Sequence, residues 1–428
     1  MDIYNKVINN FIDNIYIYEY PIEIREKIQY ILSDGKKLRS ILYLCFINNS
    51  EFSKIQEHVN DIEKYKNEVN LYVCVSIELI HCISLIIDDL PELDNDEIRR
   101  NKPSFHIKFG IEYTHLFMYY ILHKMFIILN KKIDNLIKIM SLELDTLNIN
   151  TYKKYTKYII DIFTFNINNL IDGQYLDLEY TTFINKDLYI NTDLHSNNNN
   201  SNVYNIIIQI IINYFLHTNL DDSNINNELY KNILLNLKKT GTLFSLSSSY
   251  IFYILFNNIN NMNDIHNINN INETNDINDI NDINDINDIN DINDINDIND
   301  INDMNILYSC ENYTTNIMLY MSIWGYIFGY MYQISDDILD YESDKAKNKP
   351  NICNILGQDK CTILFNNCCK WLEDNIIIIN KLLNKNNNNI NNINNNNSEN
   401  IDEHQYNINI KTIIKLINKI KSRIYCII

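Results

Sequence analysis

Acidic and basic side chains that could bind a charged ligand lie close together between residues 81 and 110. They are, in chain order, Asp88, Asp89, Asp94, Asp96, Arg99 and Arg100. Carboxylate oxygens are the ligands that Mg²⁺ prefers, and guanidinium groups bind phosphate oxygens through paired hydrogen bonds. The combination indicates a site for a metal-bridged polyphosphate. A solvated helix end rich in salt bridges is the alternative.

A second acidic motif lies in the segment YMYQISDDILDYESD, residues 330–344. An amide and three carboxylates recur there at helical spacing, at Gln333, Asp336, Asp337 and Asp340. One helical face would therefore carry all four side chains. Clustered carboxylates repel one another unless cations are bound. Two such helices in one protein predict a site that holds several Mg²⁺ ions.

Shorter polar pairs could complete a phosphate site. Lys36 and Arg39, three residues apart after Gly35, would share one face of a helix start, although such pairs often form only a solvated face. His81 lies seven residues before Asp88 and would share its helical face. A buried core histidine is the competing interpretation.

Two further polar pairs lie later in the chain. Gln174 and Asp177 repeat the i, i+3 spacing, and a buried pair of this kind must find partners such as a metal-bound water or other acidic residues. Lys239 and Thr240 precede a helix of small and apolar residues.

Long helices must position these residues, because the sequence is poor in residues that break helices. The chain of 428 residues has 7 glycines and 4 prolines, which favours an all-α fold. Periodicity predicts an amphipathic helix over residues 1–32, a buried helix over Val69–Ile87 and a final amphipathic helix from about Asn407.

One domain spanning residues 1–428 is expected, interrupted by low-complexity insertions at about 184–203, 257–305 and 386–404. These tracts are rich in Asn and Asp, which are poor helix formers. Residues 257–305 hold 12 acidic residues and no Lys or Arg, which leaves −7 of the formal charge of −19 for the rest of the chain. That balance gives no support to nucleic-acid binding.

Cysteine usage and hydropathy argue against an exported or membrane protein. The 9 cysteines form no CxxC pair, so reduced, buried thiols are expected. The longest apolar run, Ile206–Phe215, is too short for a membrane span. The N-terminus does not read as a signal peptide, which predicts a cytoplasmic location.

Six segments of the chain occur in the order of a known family. They are DGKKLR (34–39), ELIHCISLIIDDLPELDNDEIRRNKPSFHIKFG (78–110), DGQYLDL (172–178), KTGTLF (239–244), WGYIFGYMYQISDDILD (324–340) and NKPNICNILG (348–357). They resemble the motifs of the trans-isoprenyl diphosphate synthases, the polyprenyl synthetase family, and within it the geranylgeranyl diphosphate synthases.

The resemblance implies a helical bundle of the isoprenoid synthase type with a central cavity, where isopentenyl diphosphate is joined head to tail to dimethylallyl, geranyl or farnesyl diphosphate. Three Mg²⁺ ions would be held by Asp88, Asp89, Asp94, Asp336, Asp337 and Asp340. The allylic diphosphate would be bound by Arg99, Lys239, Thr240 and Gln333, and isopentenyl diphosphate by Lys36, Arg39, His81 and Arg100. Gln174, with Asp177, and Lys349 would complete the substrate site. The catalytic set would be Asp88, Asp89, Asp94, Asp336, Arg99 and Lys239.

Product length and assembly are also implied by resemblance. Neither Ile83 nor Ser84, shortly before Asp88, is a Phe or Tyr that would block the product tunnel, which indicates a geranylgeranyl or longer polyprenyl product. A homodimer is the family's habit. A non-catalytic or weakly active subunit of a heteromeric synthase is the alternative, because the loop after Asp340 is shorter than usual in the family.

Two further alternatives concern the reaction and the compartment. A head-to-head synthase or terpene cyclase of the same architecture would not need the isopentenyl diphosphate pocket that DGKKLR, His81 and Arg100 indicate. The asparagine bias is typical of AT-rich apicomplexan genomes, for which a plastid is the alternative location if an upstream leader is missing.

Overall fold

The computed structural model describes residues 2–47, 61–140, 146–183, 200–216, 223–249, 313–346, 349–394 and 408–425. Its helices are α1 (Asp2–Asn14), α2 (Ile22–Leu32), α3 (Leu38–Phe46), α4 (Asp61–Asp88), α5 (Phe105–Phe109), α6 (Ile111–Met140), α7 (Thr146–Phe183), α8 (Asn200–Gln209), α9 (Ser223–Asn236), α10 (Thr242–Ser248), α11 (Tyr313–Leu339), α12 (Tyr341–Ala346), α13 (Ile352–Leu356), α14 (Gln358–Asn394) and α15 (Ile410–Tyr425). The predicted all-α fold is confirmed.

Two π-helical segments interrupt the regular helices. Ile210–Leu216 extends α8, and Leu237–Gly241 connects α9 to α10. A π-helix accommodates one extra residue per turn and is common at functional sites. The second segment carries Lys239 and Thr240, so it matters for the candidate site.

Helix α11 packs against α10 and α14 in the described bundle. Trp324, at its centre, is fully buried, and its indole N–H donates a hydrogen bond to the carbonyl of Leu372 at 3.0 Å. A Cβ at Gly329 would lie 2.6 Å from Cα of Gly241. The two glycines therefore allow α11 to approach the second π-helical segment backbone to backbone.

The helix expected over residues 1–32 is in fact two helices. A turn of 3₁₀ helix, Tyr16–Glu19, lies between α1 and α2. Pro21 explains the break, because the residue before a proline is disfavoured in the α-helical region. Tyr20 is accordingly extended, with φ −108° and ψ 151°. The amphipathic pattern therefore extends over two helices, α1 and α2, rather than one.

A short antiparallel hairpin, β1 (Ile98–Arg99) and β2 (Lys102–Pro103), follows α4. Its turn residues Arg100 and Asn101 have positive φ values of 54° and 61°. Positive φ at both central residues is the signature of a tight two-residue hairpin turn. The conformation costs a non-glycine residue such as Arg100 roughly 1–2 kcal/mol. The hairpin places Arg99 and Arg100 beside the end of α4.

Residues 64–88 of α4 are long and apolar enough to cross a membrane by length and composition alone. However, 72% of the most apolar window is buried inside the protein. Helix α4 is therefore a core helix of the bundle rather than a membrane span.

The predicted insertions fall largely outside the described residues, including the whole of 257–305. Helix α14 nevertheless continues to Asn394, into the tract expected at 386–404. Extending an existing helix costs much less than nucleating one, so asparagines can prolong it. The seven described cysteines are free and buried, as the sequence predicts, and they are Cys45, Cys74, Cys82, Cys353, Cys361, Cys368 and Cys369.

Candidate active site

The first acidic motif lies where α4 ends. Pro91 prevents the helix from continuing, and the chain turns back so that the amide of Asp94 donates to the carbonyl of Asp88 at 3.0 Å. The Asp88 side chain is 16% exposed and that of Asp94 is 36% exposed. Both carboxylates are therefore accessible from solvent at one end of the bundle.

Asp89 differs from its neighbour because Arg99 binds it. Nε of Arg99 donates to Oδ1 of Asp89 at 2.8 Å, and Nη2 contacts Asp89 and also Asp96, the latter at 3.1 Å. Burial raises the pKa of Asp89, while the Arg99 hydrogen bond opposes the rise. Arg99 is therefore bound to two aspartates, next to the predicted binding site of the allylic diphosphate.

Lys239 reaches the first motif from the second π-helical segment. Its Nζ lies 2.5 Å from Oδ2 of Asp177 and 3.6 Å from Oδ1 of Asp88. Burial disfavours the charged form of Lys239, but Asp88 and Asp177 outweigh it and raise the pKa. Gly173 makes this approach possible, because a Cβ there would lie 2.5 Å from the backbone N of Lys239. Gln174 follows it in α7 and is half-buried.

A chain of hydrogen bonds links this segment to the second motif. The Thr240 hydroxyl donates to Oε1 of Gln333 at 2.8 Å, and Nε2 of Gln333 donates to Oδ1 of Asp337 at 2.8 Å. Thr240 and Gln333, predicted to act together on one diphosphate, are therefore direct neighbours. Their mutual hydrogen bond orients both side chains.

Asp337 is buried, with 2% of the residue exposed. Besides Gln333 on Oδ1, the amide of Ile352 donates to Oδ2 at 3.0 Å, and Asn351 donates to the Asp337 carbonyl at 2.8 Å. Burial raises the pKa of this carboxyl to about 7. In this structure Oδ2 of Asp337 holds α13 against α11 and Oδ1 is bound by Gln333 of the same helix, and the metal role of Asp337 stays a prediction.

The two acidic motifs lie side by side, and we call the region that they flank, from Asp88 and Asp94 to Asp336, the cleft. Nζ of Lys349, which follows the second motif, lies 2.9 Å from Oδ2 of Asp94 in the first. Asp336 is bound by Arg423, whose Nη2 donates to Oδ1 at 2.6 Å. Asp340 is exposed just beyond the end of α11, and its amide donates to the Asp336 carbonyl at 2.8 Å.

A basic cluster surrounds Arg39, whose guanidinium lies 4.4 Å from the centre of the Phe244 ring. Nε of Arg39 and Oε2 of Glu78 are buried and, among the described residues, have no hydrogen-bond partner. Burial lowers the pKa of His81 well below its usual value, and the charges of Arg39 and Arg100 add to this effect. His81 is therefore a neutral imidazole at neutral pH.

Arg100 lies against the loop before α3. Its Nη1 donates to the carbonyl of Asp34 at 2.8 Å. Gly35 has φ of 105°, and a Cβ there would lie 2.7 Å from the guanidinium carbon. Only glycine suits both the backbone conformation and this contact.

Lys36 is not on a helix with Arg39, so the shared helical face expected from their spacing is wrong. Helix α3 begins at Leu38, after Lys37 in a left-handed conformation with φ of 47°. Lys36 lies in the preceding loop, where Asp336 and Arg423 are among the charges that affect its pKa. Of these two residues, only Arg39 lies in α3, and only Arg39 belongs to the basic cluster.

Two residues of the site, Glu78 and Arg423, were not predicted from the sequence, and Asp96 was predicted only as a member of the first acidic cluster, with no role of its own. Glu78 stands one helical turn before His81, and this spacing could have identified it. Asp96 is one of several acidic residues in its turn, and spacing alone does not single it out. Arg423 lies 87 residues from Asp336 in the sequence, so no local pattern indicates their contact.

The donor set suits Mg²⁺, which prefers carboxylate oxygens. Within the described residues, no three His, Cys, Asp or Glu side chains form a ready-made metal cluster. Mg²⁺ is commonly held by one or two carboxylates together with substrate phosphates. Asp88, Asp94 and Asp336 therefore fit Mg²⁺ that is bound together with a diphosphate.

The all-α bundle has the isoprenoid synthase fold. Over 98% of this chain, the fold is similar to a Helicobacter pylori geranyltransferase crystallised with magnesium and isoprenyl diphosphate, with a TM-score of 0.50, 15% identity and 97% of that chain covered. The polyprenyl synthetase family model matches residues 22–274. The chain belongs to the polyprenyl synthetase family, the trans-isoprenyl diphosphate synthases.

Two curated relatives match shorter stretches. A chloroplastic geranylgeranyl pyrophosphate synthase of Arabidopsis thaliana, number 7, is 36% identical over 108 residues, which are 24% of this chain and 27% of the relative. The farnesyl diphosphate synthase of Geobacillus stearothermophilus is 38% identical over 93 residues, 22% of this chain and 27% of the relative. The match thus spans about a quarter of each relative.

Proposed function

We propose that this protein is a Mg²⁺-dependent prenyltransferase that condenses isopentenyl diphosphate with an allylic diphosphate. The observation that carries the proposal is the meeting of both acidic motifs in one cleft, joined by the Lys349–Asp94 pair at 2.9 Å. The relatives, named as geranylgeranyl and farnesyl diphosphate synthases, support the substrate class.

The allylic diphosphate binds at the acidic side of the cleft in this proposal. Mg²⁺ bound by Asp88, Asp94 and Asp336 would neutralise the diphosphate and so help it to depart. Lys239 stays protonated because Asp88 and Asp177 raise its pKa, so it adds a positive charge at the same place. Three Mg²⁺ ions per site remain the expectation from resemblance.

Isopentenyl diphosphate binds at the basic cluster. The unpartnered Nε of Arg39 is a ready donor to a phosphate oxygen, and the neutral imidazole of His81 can donate a second hydrogen bond. The guanidinium of Arg100, held by Asp34, adds a third donor group. No side-chain base is required, since the released diphosphate can accept the proton.

A geranylgeranyl or longer product is supported by the small residue Ser84, which is half-buried shortly before Asp88. Phe117 of α6 is buried and stacks on Phe105 with 4.5 Å between ring centres. Its ring is therefore already packed against α5. Shorter products remain compatible with the farnesyl diphosphate synthase relative.

The proposal extends to a homodimer with a single catalytic domain, located in the cytoplasm or, as the alternative, in a plastid. Exposed apolar side chains on α6, such as Leu116 and Tyr119, support association with a second copy. The chloroplastic relative supports the plastid. Localisation of the tagged full-length chain in its own organism tests the last point.

The test is a prenyl-transfer assay with the purified full-length chain. Labelled isopentenyl diphosphate is incubated with geranyl or farnesyl diphosphate and Mg²⁺, and the dephosphorylated products are separated by chain length. Asp88→Ala and Asp336→Ala should each abolish product. Asp134→Ala, an exposed aspartate of α6, should leave it unchanged.

The same assay tests the alternative that this chain is a subunit of a heteromeric synthase. A folded wild-type chain that makes no product with any allylic primer would refute the enzyme and favour the subunit alternative. If both aspartate variants still form product, Asp88 and Asp336 are not required for catalysis and the proposed active site is wrong.

A further inference from the structure

Arg423 is a cation in the cleft that lies outside all six segments resembling the family. It comes from the last turn of α15, and its guanidinium binds Asp336 at 2.6 Å and the hydroxyl of Ser335 at 3.1 Å. The same group lies 5.2 Å from the centre of the Tyr332 ring. Three contacts thus fix Arg423 on the second acidic motif.

The contact resembles others in the cleft, where four of the six predicted metal ligands are paired with a cationic side chain. The pairs are Lys239 with Asp88, Arg99 with Asp89, Lys349 with Asp94 and Arg423 with Asp336. Protein cations therefore neutralise the acidic motifs in this structure. Without them, the clustered carboxylates would repel one another.

A metal ion at Asp336 would lie very close to Arg423. Mg²⁺ binds a carboxylate oxygen at about 2.0–2.1 Å. With the guanidinium 2.6 Å from Oδ1 on the same carboxylate, the two positive charges would be separated by only a few ångströms. They would repel each other strongly in this half-buried position, where the side chains of Arg423 and Asp336 are 27% and 29% exposed.

We propose that Arg423 is an internal counter-cation, which holds Asp336 in the metal-free protein and leaves it when a divalent cation binds there. This inference rests on the metal role of Asp336 put forward above. It makes α15, which packs on α3, α11 and α14, part of the metal-binding equilibrium.

Metal binding at Asp336 and attachment of Arg423 are thermodynamically linked, which has two consequences. Removal of the Arg423 charge should strengthen metal binding, and metal binding should weaken the attachment of the last turn of α15. The two effects have a common origin, because coupling between two binding events is reciprocal.

The first experiment measures the affinity of the full-length chain for Mn²⁺ alone, from the electron paramagnetic resonance signal of the free ion. Mn²⁺ suits the same oxygen ligands as Mg²⁺. Arg423→Gln should bind Mn²⁺ about fivefold more tightly than the wild type, or better. Unchanged or weaker binding would overturn the proposal.

Lys421→Gln is the matched control. Lys421 lies in the same helix and pairs with Glu373 of α14 at 2.6 Å, so its replacement removes one positive charge from α15 while Arg423 stays on Asp336. Its Mn²⁺ affinity should equal that of the wild type. Tighter binding in this variant, by the same factor as in Arg423→Gln, would show that the net charge of α15 rather than the Arg423–Asp336 pair controls the metal, and would refute the counter-cation.

Asp336→Asn separates this inference from the proposed function. Weaker Mn²⁺ binding in Asp336→Asn, with no change in Arg423→Gln, would overturn the counter-cation and leave the metal role of Asp336 intact. Unchanged binding in Asp336→Asn would overturn both.

Amide hydrogen exchange of residues 420–425 provides a measurement that needs no folded Arg423 variant. Mn²⁺ should accelerate exchange in this last turn of α15 in the wild type, and should have no such effect in Asp336→Asn. Protection of the turn by Mn²⁺ would refute the proposal.

Discussion

Gly35 allows the Arg100 guanidinium to lie against the loop before α3. Alanine at this position would meet the guanidinium and would also occupy a left-handed conformation. Because the guanidinium is the end of a flexible side chain, we expect Gly35→Ala to displace Arg100 rather than the backbone. The KM for isopentenyl diphosphate should rise about tenfold, the value of one charge-assisted hydrogen bond. The KM for the allylic substrate should not change.

Gly357→Ala is the matched control, because Gly357 has φ of 80° and nothing lies within 4 Å of its added Cβ. Both variants should lose roughly 1–2 kcal/mol of stability from the backbone conformation. Equal KM values in the two variants would contradict a role for the Gly35–Arg100 contact.

His81 should make the stability of the metal-free protein depend on pH. Burial and the charges of Arg39 and Arg100 lower its pKa in the folded state, whereas the unfolded chain titrates near 6.5. Below about pH 6.5 the unfolded state therefore binds more protons, and the free energy of unfolding falls by at most about 1.4 kcal/mol per pH unit. Urea denaturation of wild type and His81→Gln between pH 7 and 5.5 should show a smaller loss in the variant.

His123→Gln serves as the comparison for this titration, because His123 is exposed on α6. Its pH dependence should match the wild type. An equal loss of stability in His81→Gln and the wild type would contradict a lowered pKa of His81 in the folded protein.

Local spacing singled out Asp88 and Gln333 in the sequence, because each belongs to a short acidic motif, whereas Lys239 was predicted from the resemblance to the family. It failed at Lys36, because the left-handed Lys37 delays the start of α3. It could not find Arg423, because only tertiary packing brings α15 to the second acidic motif. The burial of Asp337 likewise depends on α13, which no helical period within α11 reveals.

Among the helices, α6 is tied to α4 and the N-terminal segment through Lys132. Its Nζ lies 2.8 Å from Glu19 and 3.1 Å from Glu68, and 4.4 Å from the centre of the Tyr72 ring. Lys132→Met would leave two carboxylates facing each other. We expect a loss of about 1–2 kcal/mol in the free energy of unfolding, since partial exposure reduces the cost found for fully buried pairs.

Lys131→Met, at the exposed neighbouring position, should change stability by less than about 0.5 kcal/mol. Glu68 lies 20 residues before Asp88, or about 30 Å along α4. The kcat of Lys132→Met should therefore equal that of the wild type. A large loss of kcat without a loss of stability would contradict a purely structural role for Lys132.

Periodicity predicted the existence of the long helices well, because each has a strong apolar face. It did not place the break at Pro21, since the apolar pattern continues across it. The hairpin at 98–103 was also missed, because its turn uses Arg100 and Asn101 in a conformation usually supplied by glycine.

At the scale of the whole molecule, α6 carries a stripe of exposed apolar side chains. Leu116 is 71% exposed and Tyr119 is 76% exposed, and Ile127 continues the stripe. Soluble proteins seldom leave such stripes uncovered. We expect Leu116→Lys to convert a dimer into a monomer, measured by sedimentation velocity at micromolar concentration.

Ile363→Lys is the control for dimerisation. Ile363 of α14 is 58% exposed and lies outside the α6 stripe. This variant should remain dimeric. A wild-type chain that sediments as a monomer would contradict the homodimer.

The π-helical segment Leu237–Gly241 limits how this part of the sequence can change in evolution. A π-helix is an α-helix that has gained one residue, and each residue turns the chain by about 100°. Loss of a single codon within 237–241 would restore an ordinary helix on its N-terminal side and rotate Lys239 away from Asp88 and Asp177, while Gly241 could keep its contact with Gly329. A deletion of one residue here would therefore remove Lys239 from the site without unfolding the bundle. We expect active relatives to keep the length of this segment.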